Sequence, residues 1–365
     1  CLDRSNGTCR WTIDILADNG ASNLFHGLSG SPLVVDGLVI VSAGGRAGKS
    51  LAAYDFQTGN CVWRSGDDAA GYGSPQLCSL ADHDQMVVLN RSTLAAHDPL
   101  TGRVLWSFPW ENSTGTNCSQ CVPLAGRIFV SSGYGKGCGV LELTPNVAGD
   151  WSVQPVWTNR NLRTKFTSAV ARDGFSYGLD EGVLCCIDLA DGTRRWRAGR
   201  YGHGQLLLAG DKLVVQAESG EVALVAAEPD AWREFARFAA LADKTWNHPA
   251  LAGRLLLVRN DREAACYELP GWVAEAGERG ALAPCLSREE QRRHAGAGGG
   301  SSRLNRRGAP ACGSGDGAAF SSATESLSED SSETLDAPSW DGLPRPSCAR
   351  DGLGRPSHGE YSDSH

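Results

Sequence analysis

The chain has 365 residues, and its 42 Asp and Glu outnumber its 34 Lys and Arg, which gives a formal net charge of −8 at pH 7. A protein with a pI near 5.5 does not offer the basic surface that nucleic acids require, so we expect no nucleic-acid partner. The sequence contains no apolar run of about 18 residues, which excludes a transmembrane helix.

An aspartate, a glycine and a tryptophan recur at similar spacing from the first residues onward. The motif residues are Asp3 and Trp11; Asp55, Gly59 and Trp63; Asp98, Gly102 and Trp106; and Asp188, Gly192 and Trp196. Asp55 and Asp98 lie 43 residues apart. Repeats of this length are typical of solenoids, propellers and other arrays.

A short apolar strand, Leu38 to Val41, is followed by the glycine-rich segment 43–50, which ends in Lys49 and Ser50. This segment is similar to a phosphate-binding loop, which needs a helix directly after it. Only six or seven residues follow before the next turn signal at Thr58-Gly59, too few for that helix. We therefore predict a loop between the second and third strands of a repeat. Residues 130–138 have a similar composition and the same predicted place.

The first half of each repeat has the pattern of a strand, a turn and a strand. Asp36-Gly37, Asp173-Gly174 and Gly210-Asp211 separate short apolar runs, which is typical of hairpins. Four short strands per period, with no helical segment between them, predict one blade of a β-propeller. The predicted fold is all-β, with six full blades, a partial blade at the N-terminus, and seven or eight blades in the intact protein.

The repeated motif has a structural explanation. A four-stranded blade must bury both of its faces, and a tryptophan on the outermost strand can dock over the tight Thr-Gly turn of the next blade. Glycine fits such a turn because it adopts positive φ without strain. We therefore interpret the repeated Asp, Gly and Trp residues as structural and not catalytic.

The Ala-x-Asp-x-x-Thr-Gly-x-x-x-Trp pattern at residues 53–63 and 96–106 resembles the tryptophan-docking repeat of the pyrroloquinoline-quinone (PQQ) propeller superfamily. Within it, the chain is similar to the PQQ-like repeat proteins related to the outer-membrane assembly lipoprotein. The stretches GDDAAGYGSPQL (66–77) and SSGYGKGC (131–138) strengthen the resemblance. It implies a non-enzymatic scaffold, exported to the periplasm or cell envelope, that binds a protein or peptide.

A second branch of the superfamily contains PQQ-dependent dehydrogenases, which hold PQQ with calcium beneath two adjacent cysteines. Cys185 and Cys186 are adjacent, and this branch gives the alternative function of a quinone-dependent oxidoreductase or its degenerate descendant. However, Cys186 occupies a repeat position that takes a small buried residue, and neighbouring strand residues point to opposite faces. We therefore expect no cofactor, no metal and no catalytic residue. The isolated Cys118-x-x-Cys121 motif lacks the second pair that a zinc site needs.

The loops that join consecutive blades share one face with the loops between second and third strands. On this face, which we call the rim, aromatic and basic residues converge, and they give a candidate binding site for a protein, a peptide or a polysaccharide. The candidate residues are Lys49, Tyr72, Tyr134, Lys136, Arg163, Lys165, His203, Trp246 and His248.

Two boundaries follow from the composition. We assign residues 1–272 to the propeller, which we expect to be N-terminally incomplete because Cys1 falls in the third strand of a blade. Residues 273–365 are rich in Gly and Ser and include the acidic serine stretch 321–336, which predicts a disordered tail. We expect a monomer.

Overall fold

The computed structural model describes residues 1–81, 83–146 and 150–269. In these residues, short strands join through tight turns into six antiparallel sheets, each built from consecutive strands. We call these sheets blades 1 to 6. Blade 1 contains β1 (Leu33–Val35), β2 (Leu38–Ser42), β3 (Leu51–Asp55) and β4 (Cys61–Ser65). Blade 2 contains β5 (Gln76–Leu80), β6 (His83–Leu89), β7 (Thr93–His97) and β8 (Val104–Pro109).

The remaining blades repeat this order. Blade 3 contains β9 (Val122–Leu124), β10 (Arg127–Ser132), β11 (Gly137–Pro145) and β12 (Trp151–Asn159). Blade 4 contains β13 (Val170–Arg172), β14 (Phe175–Asp180), β15 (Val183–Asp188) and β16 (Arg194–Arg200). Blade 5 contains β17 (Gln205–Ala209), β18 (Lys212–Gln216), β19 (Glu221–Ala226) and β20 (Glu234–Ala239). Blade 6 contains β21 (Ala250–Ala252), β22 (Leu255–Arg259) and β23 (Ala264–Glu268).

This architecture confirms the predicted β-propeller of four-stranded blades. Five blades have four strands, and the described part of blade 6 has three. The fourth strand of blade 6 that the sequence predicts, the domain boundary at residue 272 and the predicted tail 273–365 lie outside the described residues. The first strands of neighbouring blades contact one another, β5 with β9 and β13 with β17, and the fourth strands β8 and β12 are also in contact.

The N-terminal residues form a short hairpin in which Leu2 pairs with Cys9. Asp3 accepts the Ser5 N–H in its turn, as Asp55 accepts the Thr58 N–H in blade 1. A five-residue helix, α1 (Ile15–Asn19), follows this hairpin, and the repeat pattern did not predict it. Its N-cap is Asp14, whose side chain accepts from the backbone N–H groups of Leu16 and Ala17.

Blades 2 to 5 are buried on both faces, because successive residues of a middle strand point in opposite directions. In blade 6, by contrast, Leu255 and Leu257 are each 45% exposed. In β6, Met86 and Val88 pack toward blade 1, whereas Val87 and Leu89 pack toward blade 3. In the described residues, five hydrophobic clusters each lie between two consecutive blades. The core is therefore a series of interfaces between blades.

Tryptophans of the outer strands close these interfaces at the turns. The rings of Trp11, Trp63 and Trp157 lie directly against Gly59, Gly102 and Gly192 of the next blade. The indole N–H of Trp11 donates to the Phe56 carbonyl at 3.0 Å, and that of Trp157 donates to the Leu189 carbonyl at 3.0 Å. Trp11 and Trp157 thus contribute both apolar area and one directed hydrogen bond, whereas the buried indole N–H of Trp63 has no partner and this ring contributes apolar area alone.

Trp106 departs from this arrangement. Blade 3 has no Thr-Gly pair after Glu142, so the sequence offers no matching turn for the Trp106 ring. Its indole N–H donates instead to Gln85 Oε1 within blade 2, at 2.7 Å. The ring still packs in the cluster between blades 2 and 3, beside Trp151.

The segment 43–50 joins β2 to β3, and a strand begins at Leu51, where a phosphate-binding loop would require a helix. The similar segment 133–136 joins β10 to β11. The sequence-based interpretation of both segments as loops between second and third strands is confirmed.

Replacing Gly102 by Ala tests the docking contact. Gly102 has φ +74°, and a Cβ there would lie 2.5 Å from the Trp63 ring. The strain of positive φ costs about 1–2 kcal/mol, and the steric overlap adds about 1–3 kcal/mol. The matched control is Gly37, which has φ +79° and open space around it. Gly37→Ala should lower the free energy of unfolding only by the strain of positive φ, about 1–2 kcal/mol. Urea unfolding measures the loss of unfolding free energy for both variants, and equal losses would contradict the docking of Trp63 on Gly102.

Candidate functional site: the rim

The structure places all nine candidate residues in loops on the rim. Lys49 lies between β2 and β3, Tyr72 between β4 and β5, and His203 between β16 and β17. The other candidates are Tyr134 and Lys136 between β10 and β11, Arg163 and Lys165 between β12 and β13, and Trp246 and His248 between β20 and β21. Because strands alternate in direction, these loops leave the blades on the same side.

One cluster joins the loops of blades 4, 5 and 6. The Phe166 ring lies 5.1 Å from the His203 ring and 5.0 Å from the Trp246 ring, between ring centroids. Glu218 connects two of these loops, because its carboxylate accepts the His203 backbone N–H and the Trp246 indole N–H, both at 2.9 Å. The Lys244 ammonium lies 4.8 Å from the Trp246 ring centroid. We call Phe166, His203, Glu218 and Trp246 the aromatic cluster.

The backbone beneath the aromatic cluster is fixed as well. The buried Gln205 amide donates to the Phe166 carbonyl at 2.8 Å and to the Trp246 carbonyl at 3.0 Å. The Thr245 N–H donates to the Glu218 carbonyl at 2.9 Å. Trp246 is nevertheless 47% exposed, so a large aromatic surface is held rigidly at the rim.

Arg163 and Lys165 are neutralised by carboxylates. Arg163 Nε donates to Asp180 Oδ1 at 2.8 Å, and Arg197 Nε donates to Asp180 Oδ2 at 2.7 Å. Burial alone would raise the pKa of Asp180, but the hydrogen bonds from these two arginines outweigh it and hold the pKa below its ordinary value of 3.8. Lys165 forms an ion pair with Glu181 at 3.0 Å. These cations therefore stabilise the fold and do not offer free charge.

The remaining candidates are spread over other parts of the rim. The Tyr72 ring lies 5.9 Å from the His26 ring, and Lys136 stacks over Trp110 with its Nζ 4.6 Å from the ring centroid. Among the described residues, Lys49 has no hydrogen-bonded carboxylate, and its charge acts at longer range on Asp18. His248 lies in the loop before β21 and forms no hydrogen bond or ring stacking with another described candidate. The rim is therefore several local clusters and not one convergent site.

The sequence interpretation missed the acidic residues that organise the rim. Glu181 and Glu218 follow the second strands of blades 4 and 5, the same repeat position as the loops that carry Lys49 and Lys136. Aligning these loops across the repeats would have found them, because a carboxylate stands there in two of the blades. Asp180 is harder to recognise from the sequence as a rim residue, because it is the last residue of β14 and its partners Arg163 and Arg197 are distant in sequence.

A family model described as outer membrane protein assembly factor BamB matches residues 1–198, which is more than half of the chain. The chain belongs to this family. The resemblance carried by the tryptophan repeat is confirmed. No curated protein matches the sequence.

Among solved structures, the chain is similar to BamB from Moraxella catarrhalis, with 16% identity, a TM-score of 0.49, and coverage of 68% of this chain and 75% of that one. It is also similar to the computationally designed Ika8 protein, with 11% identity, a TM-score of 0.40, and coverage of 68% and 86%.

The two adjacent cysteines of this BamB-family chain pack in different hydrophobic clusters. Cys185 packs in the cluster between blades 3 and 4, and Cys186 packs in the cluster between blades 4 and 5. Their side chains thus lie on opposite faces of β15. Burial raises the pKa of Cys185 to about 11 and that of Cys186 to about 12. Among the described residues, no group of three or more His, Cys, Asp and Glu side chains could hold a metal ion.

Thiol labelling of the native protein checks this arrangement. Cys185 and Cys186 should resist N-ethylmaleimide, because they are buried and remain protonated near neutral pH. Cys9, Cys61 and Cys266 are exposed and should react within the same time. Peptide mass spectrometry identifies the labelled sites, and modification of the pair as fast as that of Cys9 would contradict the packing.

Replacing Asp180 by Asn tests the arginine network. At about pH 7 the variant should lose about 2–4 kcal/mol of unfolding free energy, because Arg163 and Arg197 lose a buried charged acceptor. The folded pKa of Asp180 is lowered, so its contribution exists above about pH 4 and disappears as the pH falls through the folded pKa. The difference between wild type and variant should therefore shrink in acid.

The control for this network is Glu142→Gln. Glu142 pairs with Arg127 at 3.0 Å, but the two side chains are 51% and 43% exposed. An exposed pair of this kind contributes less than about 1 kcal/mol. Urea unfolding over the acid range compares the two variants, and a pH-independent Asp180→Asn effect would reject the charged network.

Proposed function

We propose that this protein is a non-enzymatic scaffold of the bacterial cell envelope that binds a protein partner through the aromatic cluster. The observation that carries the proposal is Trp246, which is exposed yet held by Glu218 and packed on Phe166. Tryptophan dominates many binding hot spots, because a large rigid ring is desolvated at small entropic cost. A ring already fixed in place loses little further freedom on binding.

Membership in the BamB family supports an envelope location and a partner among the components of outer-membrane protein assembly. We propose export to the periplasm on the same ground. The described residues contain no helix that is long and apolar enough to cross a bilayer. The placement of Cys185 and Cys186 in two separate clusters supports action without a quinone, as a binding protein and not an oxidoreductase.

Site-specific photocrosslinking in envelope preparations tests the proposal. A photoreactive phenylalanine analogue at position 246 should give an adduct that contains an outer-membrane assembly component, identified by mass spectrometry. The control position is Leu100, which is 43% exposed in the turn between β7 and β8, on the face opposite to the rim. No protein adduct at 246, or the same adducts at both positions, would reject the aromatic cluster as the binding site.

Trp246→Ala adds a quantitative measurement with the purified partner that the crosslink identifies. Truncating a hot-spot tryptophan costs about 2 kcal/mol or more, which is about thirtyfold in Kd. Leu100→Ala should leave Kd unchanged. Calorimetry compares the two variants, and an unchanged Kd for Trp246→Ala would contradict the proposal.

A further inference from the structure

A cleft of about 780 Å³ opens on the rim between blades 2 and 3, away from the aromatic cluster. Three segments form its walls: the end of β8 with the loop that follows, the turn between β10 and β11, and the end of β12. Pockets for small ligands have volumes of about 300–1,000 Å³. Phe108, Pro109, Trp110 and Pro155 give it apolar surface. Lys136 and Arg160 give it two positive charges, and Glu111 gives it one negative charge.

The walls of the cleft are held in place by hydrogen bonds. The Asn112 side chain accepts the backbone N–H groups of Thr114 and Thr116, at 3.1 and 2.9 Å, which fixes the loop after β8. The Ser113 hydroxyl donates to the Tyr134 carbonyl at 2.9 Å and thereby ties this loop to the turn between β10 and β11. A cleft with fixed walls loses little entropy when it binds a ligand.

The charge of Lys136 is not neutralised by the described part of the chain. Lys136 is half-buried over the Trp110 ring, and its ammonium forms no ion pair with any described carboxylate. Burial lowers its pKa, and the nearby Glu111 opposes this shift without reaching ion-pair distance. Lys165, the comparable lysine of the next loop, has Glu181 at 3.0 Å. Arg160 is exposed and also has no carboxylate partner among the described residues.

A partly desolvated cation beside an apolar wall favours a ligand that brings a negative charge and an apolar group together. A carboxylate satisfies the Lys136 ammonium, and an adjacent aromatic or aliphatic group can cover Phe108 and Pro155. We propose that this cleft is a second binding site, for a carboxylate carried next to an apolar group. A chain-terminal carboxylate and an acidic side chain within a peptide share this chemistry.

Calorimetric titration of the full chain tests the site and separates the two sources. N-acetyl-phenylalanine presents a free carboxylate beside a phenyl ring, and its amide is the uncharged control. A blocked peptide with one internal glutamate next to phenylalanine presents the side-chain carboxylate, with its glutamine analogue as control. Binding of either charged probe, with about tenfold or greater preference over its control, supports the site and identifies the source. Failure of both charged probes to bind would overturn the proposal.

Three variants locate the binding. Lys136→Gln should weaken it about ten- to a hundredfold, and Lys136→Arg should retain it, because the charge and the stacking on Trp110 remain. Arg160→Gln should weaken it about two- to fivefold, as expected for an exposed charge. Lys165→Gln is the matched control and should not change Kd, since Lys165 is already paired.

A structural loss is distinguished from a binding loss by the unfolding midpoint of each variant. If Lys136→Gln binds as tightly as the wild type, or if Lys165→Gln loses as much affinity, the cleft is not the site. The result is independent of the aromatic cluster, because Trp246→Ala should leave these titrations unchanged.

Discussion

The structure depends on the burial of blades 2 to 5 on both faces. In β15, Leu184 and Cys186 belong to one cluster, while Cys185 and Ile187 belong to the next. No blade can satisfy both faces alone, so the stability of each of these four blades is shared with its two neighbours. This coupling explains why the tryptophans dock across blade boundaries: the Trp196 indole N–H, on blade 4, donates to the Glu228 carbonyl of blade 5 at 2.8 Å. The buried side chains of the strands therefore serve to pack one blade against the next.

Binding chemistry is consequently confined to the loops. The rim loops are held by many polar contacts, such as the Asn117 amide, which donates to the carbonyls of Asn90 at 2.9 Å and Trp110 at 2.7 Å. These bonds satisfy buried backbone groups that leave the sheets at the blade edges. They also bring fixed side chains to the surface, which is the arrangement that rigid scaffolds use for recognition.

The sequence predicted the fold because packing imposes the same residues on each repeat. Asp55 and Asp98 each accept the N–H and hydroxyl of the following threonine, so both turns need the same pair. The rim residues were assigned correctly to loops for the same reason. Their grouping was not predictable, because Arg163, Arg197 and Asp180 meet only after β14 and β16 pair with β15. A repeat pattern identifies only the residues that recur from blade to blade, whereas each charged cluster occurs once in the described residues.

In the proposed cleft, the charge of Lys136 selects for a carboxylate. The chain has a net charge of −8, so it repels an anionic partner at distances below the Debye length of about 10 Å. Salt screens this repulsion between exposed groups more strongly than it screens contacts in a partly buried cleft. A ligand whose carboxylate reaches Lys136 gains a local attraction that solvent weakens little, while acidic surfaces that cannot enter the cleft meet only the repulsion. Recognition in the proposed cleft therefore depends on apolar contact as well as on charge, since Phe108 and Pro155 line it together with Lys136.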